Sequence, residues 1–82
     1  MTYANAMKRL TKIANLIPVK SLEKPFTSKQ HRQHYKAIDA IYYIVDTYNA
    51  QENRDNYIEL TVNDDETAIF VNDLKITIKE EA

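Results

Sequence analysis

Apolar and aromatic positions recur at helical spacing over residues 27–50, and this stretch predicts one long helix. At 100° per residue, these positions fall within about 80° of the direction of Ile38. Ala37 and Ile44 widen the arc to about half of the circumference, so we expect the helix to contact both a sheet and another helix. The members of the narrower arc are His31, His34, Tyr35, Ile38, Ile41, Tyr42, Val45, Tyr48 and Asn49.

A shorter helix is predicted over residues 2–17, where apolar side chains again recur at helical spacing. Pro18 ends it, because the residue before a proline disfavours the α region. Residues 18–26 then form a connector, in which we expect Leu22 and Phe26 to lie beneath the helices. The apolar stripe of the shorter helix consists of Tyr3, Ala6, Met7, Leu10, Ile13, Ala14 and Ile17.

The hydrophobic period changes from 3.6 to 2 after the long helix, and predicts strands at 57–62, 67–71 and 74–79. Turn-forming residues separate these three stretches. The predicted fold class is therefore α+β, with two N-terminal helices packed on one face of a three-stranded antiparallel meander. The strand residues predicted to face the helices are Ile58, Leu60, Val62, Ile69, Val71, Leu74, Ile76 and Ile78.

Loop lengths predict the strand register. Asn72 and Asp73 form a two-residue hairpin loop, which we expect to be a type I′ turn because both residues tolerate positive φ. This loop pairs Ile69 with Ile76, whereas a four-residue loop between the first two strands pairs Leu60 with Ile69. The other predicted pairs are Val71 with Leu74, Phe70 with Lys75, Val62 with Thr67, and Glu59 with Phe70.

The composition restricts the class of protein. A chain of 82 residues predicts one domain over 1–82, and the absence of glycine and cysteine excludes Gly-rich phosphate loops and disulfides. Residues 1–36 carry eight basic side chains and one acidic, a net +7, whereas residues 37–82 carry three basic and eleven acidic, a net −8. Two interpretations stay open: the halves attract each other, or the basic half faces a nucleic acid or an acidic partner.

No arrangement of reactive side chains predicts catalysis or a cofactor. His31 and His34 share a helix face at i, i+3, which is half of a metal site, and we expect both to pack beneath the connector instead. The acidic stretch 64–66 lacks the spacing and the glycine of a calcium loop and reads as a solvated turn. Neither serine has a predictable base. We therefore predict no catalytic, metal or cofactor-binding residue, and a protein that is not an enzyme.

Two kinds of surface remain as candidates for contact with a macromolecule. The register aims Phe70 out of the central strand, on a face shared with Ala68, and a small uncharged stripe lies on the long helix. The residues predicted to contact a protein are Phe70, Tyr57, Lys75, Thr77, Ala40, Tyr43 and Thr47. The residues predicted to contact a nucleic acid are Lys8, Arg9, Lys12, Lys29, Arg32 and Lys36.

The leading interpretation is a small non-catalytic module that binds another protein or a second copy of itself. Its Asn-, Ile-, Lys- and Tyr-rich usage suits an AT-rich genome, so we expect an accessory or inhibitory factor of a phage or mobile element. The alternative is a nucleic-acid-binding protein that uses the basic helices, and the third is a metal-dependent or other small enzyme. No apolar run approaches ~18 residues and the first residues lack a signal-peptide layout, so we expect a cytoplasmic protein without membrane contact.

Overall fold

The structure is a computed structural model that describes residues 1–81. Two helices precede a three-stranded antiparallel sheet, which confirms the predicted α-α-β-β-β fold class. The elements are α1 (Tyr3–Leu16), α2 (Ser28–Asn49), β1 (Leu60–Val62), β2 (Ala68–Val71) and β3 (Leu74–Thr77). All three strands are shorter than their predicted ranges, chiefly β1, which begins three residues later than expected.

The helices begin at the residues whose side chains can cap them. Thr2 accepts a hydrogen bond from the backbone N–H of Asn5 at 3.2 Å, and Thr27 and Gln30 form both bonds of a capping box, at 3.2 and 3.0 Å. Tyr3 contacts Tyr48 with ring centroids 6.1 Å apart, so the start of α1 lies beside the end of α2. The two helices therefore form an antiparallel hairpin.

The buried arc of α2 is rotated relative to the prediction. On the scale that places Ile38 at 0°, the buried side chains of α2 lie between about −120° for Ile44 and about −20° for Val45. Ile41 is near the centre of this arc. On the other side of Ile38, Tyr35 and Tyr42 are exposed. This part of the predicted arc is wrong, because the buried side chains of α2 lie on one side of Ile38 only, where α1 packs.

The order of strands is β1-β2-β3, and the predicted register of β2 with β3 is confirmed. The predicted register of β1 with β2 is wrong by two residues, because Leu60 pairs with Val71 and Val62 with Ile69. The turn between them is longer than four residues. Asn63 closes it, because its Oδ1 accepts hydrogen bonds from the backbone N–H groups of Thr67 and Ala68, at 2.8 and 3.0 Å. A shift of two residues keeps every side chain on its predicted face.

The loop between β2 and β3 is not the predicted type I′ turn. A type I′ turn needs positive φ at both central residues, but Asn72 has a φ of 52° and Asp73 is not among the positive-φ residues of 1–81. The Asn72 side chain accepts from the Glu59 N–H at 3.0 Å and donates to the Tyr57 carbonyl at 3.3 Å and the Tyr3 hydroxyl at 3.1 Å. One amide thus joins this turn to β1's entry segment and to α1.

The connector pairs with the segment that follows β3. The Lys20 N–H donates to the Ile78 carbonyl at 3.0 Å, and the Glu80 N–H donates to the Lys20 carbonyl at 2.9 Å. This seam keeps Leu22 exposed, so the prediction that Leu22 lies beneath the helices is wrong, whereas Phe26 is half-buried. Both helices and the sheet supply the core, whose largest fully buried side chains are Tyr48, Leu10, Ile41, Ile58, Ile69, Ile76 and Val71.

Candidate functional site

A groove of about 570 Å³ runs between α1 and α2 on the side away from the sheet. Its floor is apolar, because Ile13 and Ile17 of the first helix meet Ala37 and Ala40 of the second. The remaining lining residues, which form the rims and one end, are Lys12, Leu16, Pro18, Gln33 and Lys36.

A lysine lies on each rim of the groove, and neither lysine has a carboxylate partner within residues 1–81. Lys12 lies on the α1 rim and Lys36 on the α2 rim, and both are exposed. Within residues 1–81 the one ion pair joins Lys75 to Glu81 at 3.6 Å, so none of the eight cations of residues 1–36 lies within 4 Å of a carboxylate. Direct ion pairing between the basic and acidic halves is therefore absent from the described part of the chain.

The structure brings together two of the six residues predicted to contact a nucleic acid. Lys12 and Lys36 face each other across the groove, whereas the other four lie outside its lining and are exposed along the same two helices. Those four residues are Lys8, Arg9, Lys29 and Arg32.

The predicted uncharged stripe on α2 lies along the groove. Ala40 forms part of the floor, while Tyr43 and Thr47 continue the row as exposed side chains, and Tyr43 is 70% exposed. Sequence reasoning missed Leu16, which is 73% exposed on the opposite rim. A signal was present, since Leu16 lies about 120° from Leu10 at the centre of the α1 stripe and so had no place in the core.

The outer face of the sheet is less open than its sequence predicts. Phe70 points away from the core but is half-buried, flanked by its strand partners Thr61 and Lys75. Thr77 is exposed beside them, whereas its partner Ala68, also predicted to be on the outer face, is fully buried next to the Asn63 turn.

Tyr57 does not join this outer face. In the observed register Thr61, not Glu59, is opposite Phe70. Tyr57 therefore lies four residues, about 13 Å of extended chain, from that position instead of two. Its ring is 62% exposed and lies 5.7 Å from the Arg54 guanidinium. The predicted surface centred on Phe70 is divided by this register.

The two predicted core histidines have different surroundings. His34 is buried and its Nδ1 lies 2.8 Å from the Pro18 carbonyl oxygen, whereas His31 is exposed with its ring edge-on to Phe26 at 5.4 Å. The prediction of a buried His31 is wrong. Over residues 1–81 the fold gathers no group of three side chains that could hold a metal ion, and the acidic stretch 64–66 is exposed.

No protein-family model, characterised protein or solved structure matches this chain significantly. Neither described helix has the length and apolar content that crossing a bilayer requires.

Proposed function

We propose that this protein is a non-catalytic binding module whose α1–α2 groove receives an acidic amphipathic segment of a partner protein. The observation that carries this proposal is the apolar floor between two unpaired lysines, Lys12 and Lys36. An apolar floor favours burial of one face of a helix, and the cations on the rims favour carboxylates on its flanks. An accessory or inhibitory role in a phage or mobile element fits a small module of this kind.

Leu16 strengthens the case for a macromolecular partner. It is the most exposed large apolar side chain among the described residues, and it lies on the groove rim. Full burial of a leucine is worth about 1.5–3 kcal/mol. Because Leu16 stays mostly exposed in the folded protein, most of this stabilisation is gained only when a bound apolar surface covers the side chain.

The test is a binding titration with a synthetic acidic helix. The probe is a labelled helical peptide with leucines along one face and glutamates on the flanks of that face. In its matched control, glutamine replaces every glutamate. Fluorescence anisotropy at 150 mM salt should show tighter binding of the acidic peptide, because screening at this salt still leaves contact pairs attractive. Equal affinity for the two peptides would contradict the charge argument.

Matched variants locate the site. Lys12→Glu combined with Lys36→Glu should weaken the acidic peptide about tenfold, and Leu16→Ser by a similar factor. The controls are Lys24→Glu combined with Lys29→Glu, and Leu22→Ser, which make the same changes at exposed positions outside the groove. If control and groove variants lose equal affinity, the groove is not the binding site.

A second copy of this chain is the competing occupant, since residues 37–82 carry a net −8. Analytical ultracentrifugation from about 5 to 500 µM separates the two cases. A dimer that Lys12→Glu with Lys36→Glu abolishes would make the acidic half of the chain itself the occupant.

Nucleic-acid binding is the second candidate, because six exposed cations lie on the two helices and none of them forms an ion pair within residues 1–81. Binding of this kind must weaken steeply with salt, since each neutralised phosphate releases counterions. We expect only weak duplex binding that vanishes near physiological salt. Replacing Lys29, Arg32 and Lys36 together with alanine should flatten the salt dependence, and submicromolar binding of duplex DNA at 150 mM salt would place this candidate first.

A further inference from the structure

A second opening, a cleft of about 580 Å³, lies between α2 and the inner face of the sheet. The cleft opens on the side of α2 that the rotated buried arc leaves uncovered, where Ile38 packs only partly against the core and Tyr42 is exposed. Val62 and Tyr42 are 39% and 40% exposed at this opening. The cleft is lined by Lys20, His34, Ile38, Tyr42, Val62, Glu66, Ile69, Ile78 and Lys79. Its volume lies within the range of about 300–1,000 Å³ that is usual for small-molecule sites.

His34 supplies a fixed polar group to the cleft. Its Nδ1 must carry the hydrogen, because the Pro18 carbonyl 2.8 Å away can only accept. In the neutral ring Nε2 is then an acceptor, and no residue within 1–81 donates to it. Within residues 1–81, every enclosed side-chain nitrogen and oxygen has a hydrogen-bond partner. Because Nε2 has no such partner, it is not enclosed and keeps access to solvent, although His34 as a whole is only 5% exposed.

Aromatic neighbours hold the imidazole in this orientation. The ring of Phe26 packs against that of His34 with centroids 5.2 Å apart, and Tyr35 lies edge-on at 5.7 Å. An oriented acceptor at the wall of a cleft, to which no residue within 1–81 donates, favours a ligand that brings a hydroxyl or N–H donor.

Positive charge predominates at the cleft. Lys20 and Lys79 both line it, and their backbones are held together by the seam between the connector and the end of the chain. Glu66 is the one acidic lining residue, and over residues 1–81 it forms no ion pair with either lysine. Two ammonium groups at the edge of apolar walls favour a carboxylate attached to an apolar body.

We propose that this cleft binds a small organic carboxylate that has an apolar body and a hydroxyl or N–H donor. The carboxylate lies against Lys20 and Lys79, the apolar body contacts Ile38, Ile69 and the other aliphatic walls, and the donor bonds to Nε2 of His34. This site is separate from the α1–α2 groove, so it stands or falls independently of the proposed protein partner.

Three related probes test each part of this chemistry by ¹H–¹⁵N NMR titration of the whole chain. 4-Hydroxyphenylacetate carries the carboxylate, the ring and the donor, whereas phenylacetate lacks the donor and 4-methylphenol lacks the carboxylate. We expect 4-hydroxyphenylacetate to shift the amides of Val62, Ile69 and Ile78 with a Kd of roughly 1–10 mM, as befits a ligand of about ten non-hydrogen atoms. Both simpler probes should bind at least about threefold more weakly than 4-hydroxyphenylacetate.

The His34 ring gives a readout that nonspecific binding would not move. On saturation with 4-hydroxyphenylacetate its Nε2 resonance should shift, while Nδ1, committed to Pro18, should not. Phenylacetate should leave Nε2 nearly unchanged. A titration without cleft shifts at 20 mM probe, or with equal shifts for all three probes, would overturn the proposal.

Charge variants complete the test. Lys20→Met with Lys79→Met removes both ammonium groups but keeps the aliphatic stems, and should weaken 4-hydroxyphenylacetate about fivefold while leaving 4-methylphenol unchanged. The matched control, Lys24→Met with Lys29→Met, removes the same charge from exposed positions outside the cleft. Equal loss in the two double variants would assign the binding to net charge and refute the site. Val62→Trp, which fills the mouth, should abolish binding of all three probes.

Discussion

Replacing Asn72 with alanine is expected to destabilise the protein strongly, although the residue lies in a turn and is only half-buried. The side chain forms three hydrogen bonds that join the β2–β3 turn to Glu59, Tyr57 and Tyr3. At about 0.7 kcal/mol per bond, below the middle of the range of net contributions because the groups are partly solvated, these are together worth about 2 kcal/mol. The backbone adds about 1 kcal/mol, since φ is 52° and alanine, unlike asparagine, resists the left-handed region.

The expected total is about 3 kcal/mol, a large share of the roughly 4–12 kcal/mol expected for a chain of this length. Urea denaturation followed by far-UV circular dichroism measures it, and the melting temperature should fall by about 12–24 °C. Asn72→Gly is the control, because it loses the same bonds but accepts positive φ, and should lose about 2 kcal/mol. If both variants lose less than about 1 kcal/mol, the side chain does not join the three segments as the geometry indicates.

Three further predictions follow from the strand register, the histidines and the end of α2. Phe70→Ser should lower the free energy of unfolding by about 1 kcal/mol, against about 3 for Ile69→Ala, and the reverse order in urea melts would refute the observed faces. Calorimetry with zinc should detect nothing tighter than about millimolar, because His31 and His34 supply half of a ligand set, and micromolar binding lost in His34→Ala would contradict this. Asn49→Ala should lower the free energy of unfolding by about 2–3 kcal/mol, because the Asn49 amide bonds both the carbonyl and the N–H of the fully buried Ile58, at 2.8 and 3.0 Å. A urea midpoint equal to that of the wild type would contradict this.

The elements that could be predicted from sequence are those fixed by local chemistry. Thr27 and Gln30 placed the start of α2, and the two-residue loop placed β2 against β3, because each depends on neighbours in the chain. The register of β1 could not be predicted in this way. It depends on the Asn63 amide, which closes a longer turn, and loop length alone does not reveal that side chain's hydrogen bonds.

The candidate sites were harder to predict, because both are produced by the rotation of α2. Periodicity placed Tyr35 and Tyr42 on the apolar arc, but a tyrosine tolerates either side of such a boundary. Which side is buried depends on where α1 packs, and this is a property of the tertiary structure. The lysines of the groove were identified from charge alone. Of its floor, Ala40 was predicted as a contact residue, whereas Ile13, Ile17 and Ala37 were assigned to the apolar stripes of the two helices.

The helical hairpin and the meander are each formed by one unbroken stretch of chain, and they carry opposite charge. Residues 1–50 have eight basic and three acidic side chains, a net +5, and residues 51–82 have three basic and nine acidic, a net −6. A cut after residue 50 would therefore yield two fragments that share one core and attract each other before contact. Since no ion pair within residues 1–81 joins these fragments, the charge should act on their rate of encounter and the shared core on their lifetime together. Reassembly should slow as salt is added while dissociation changes little, which makes this fold a natural starting point for a split reporter.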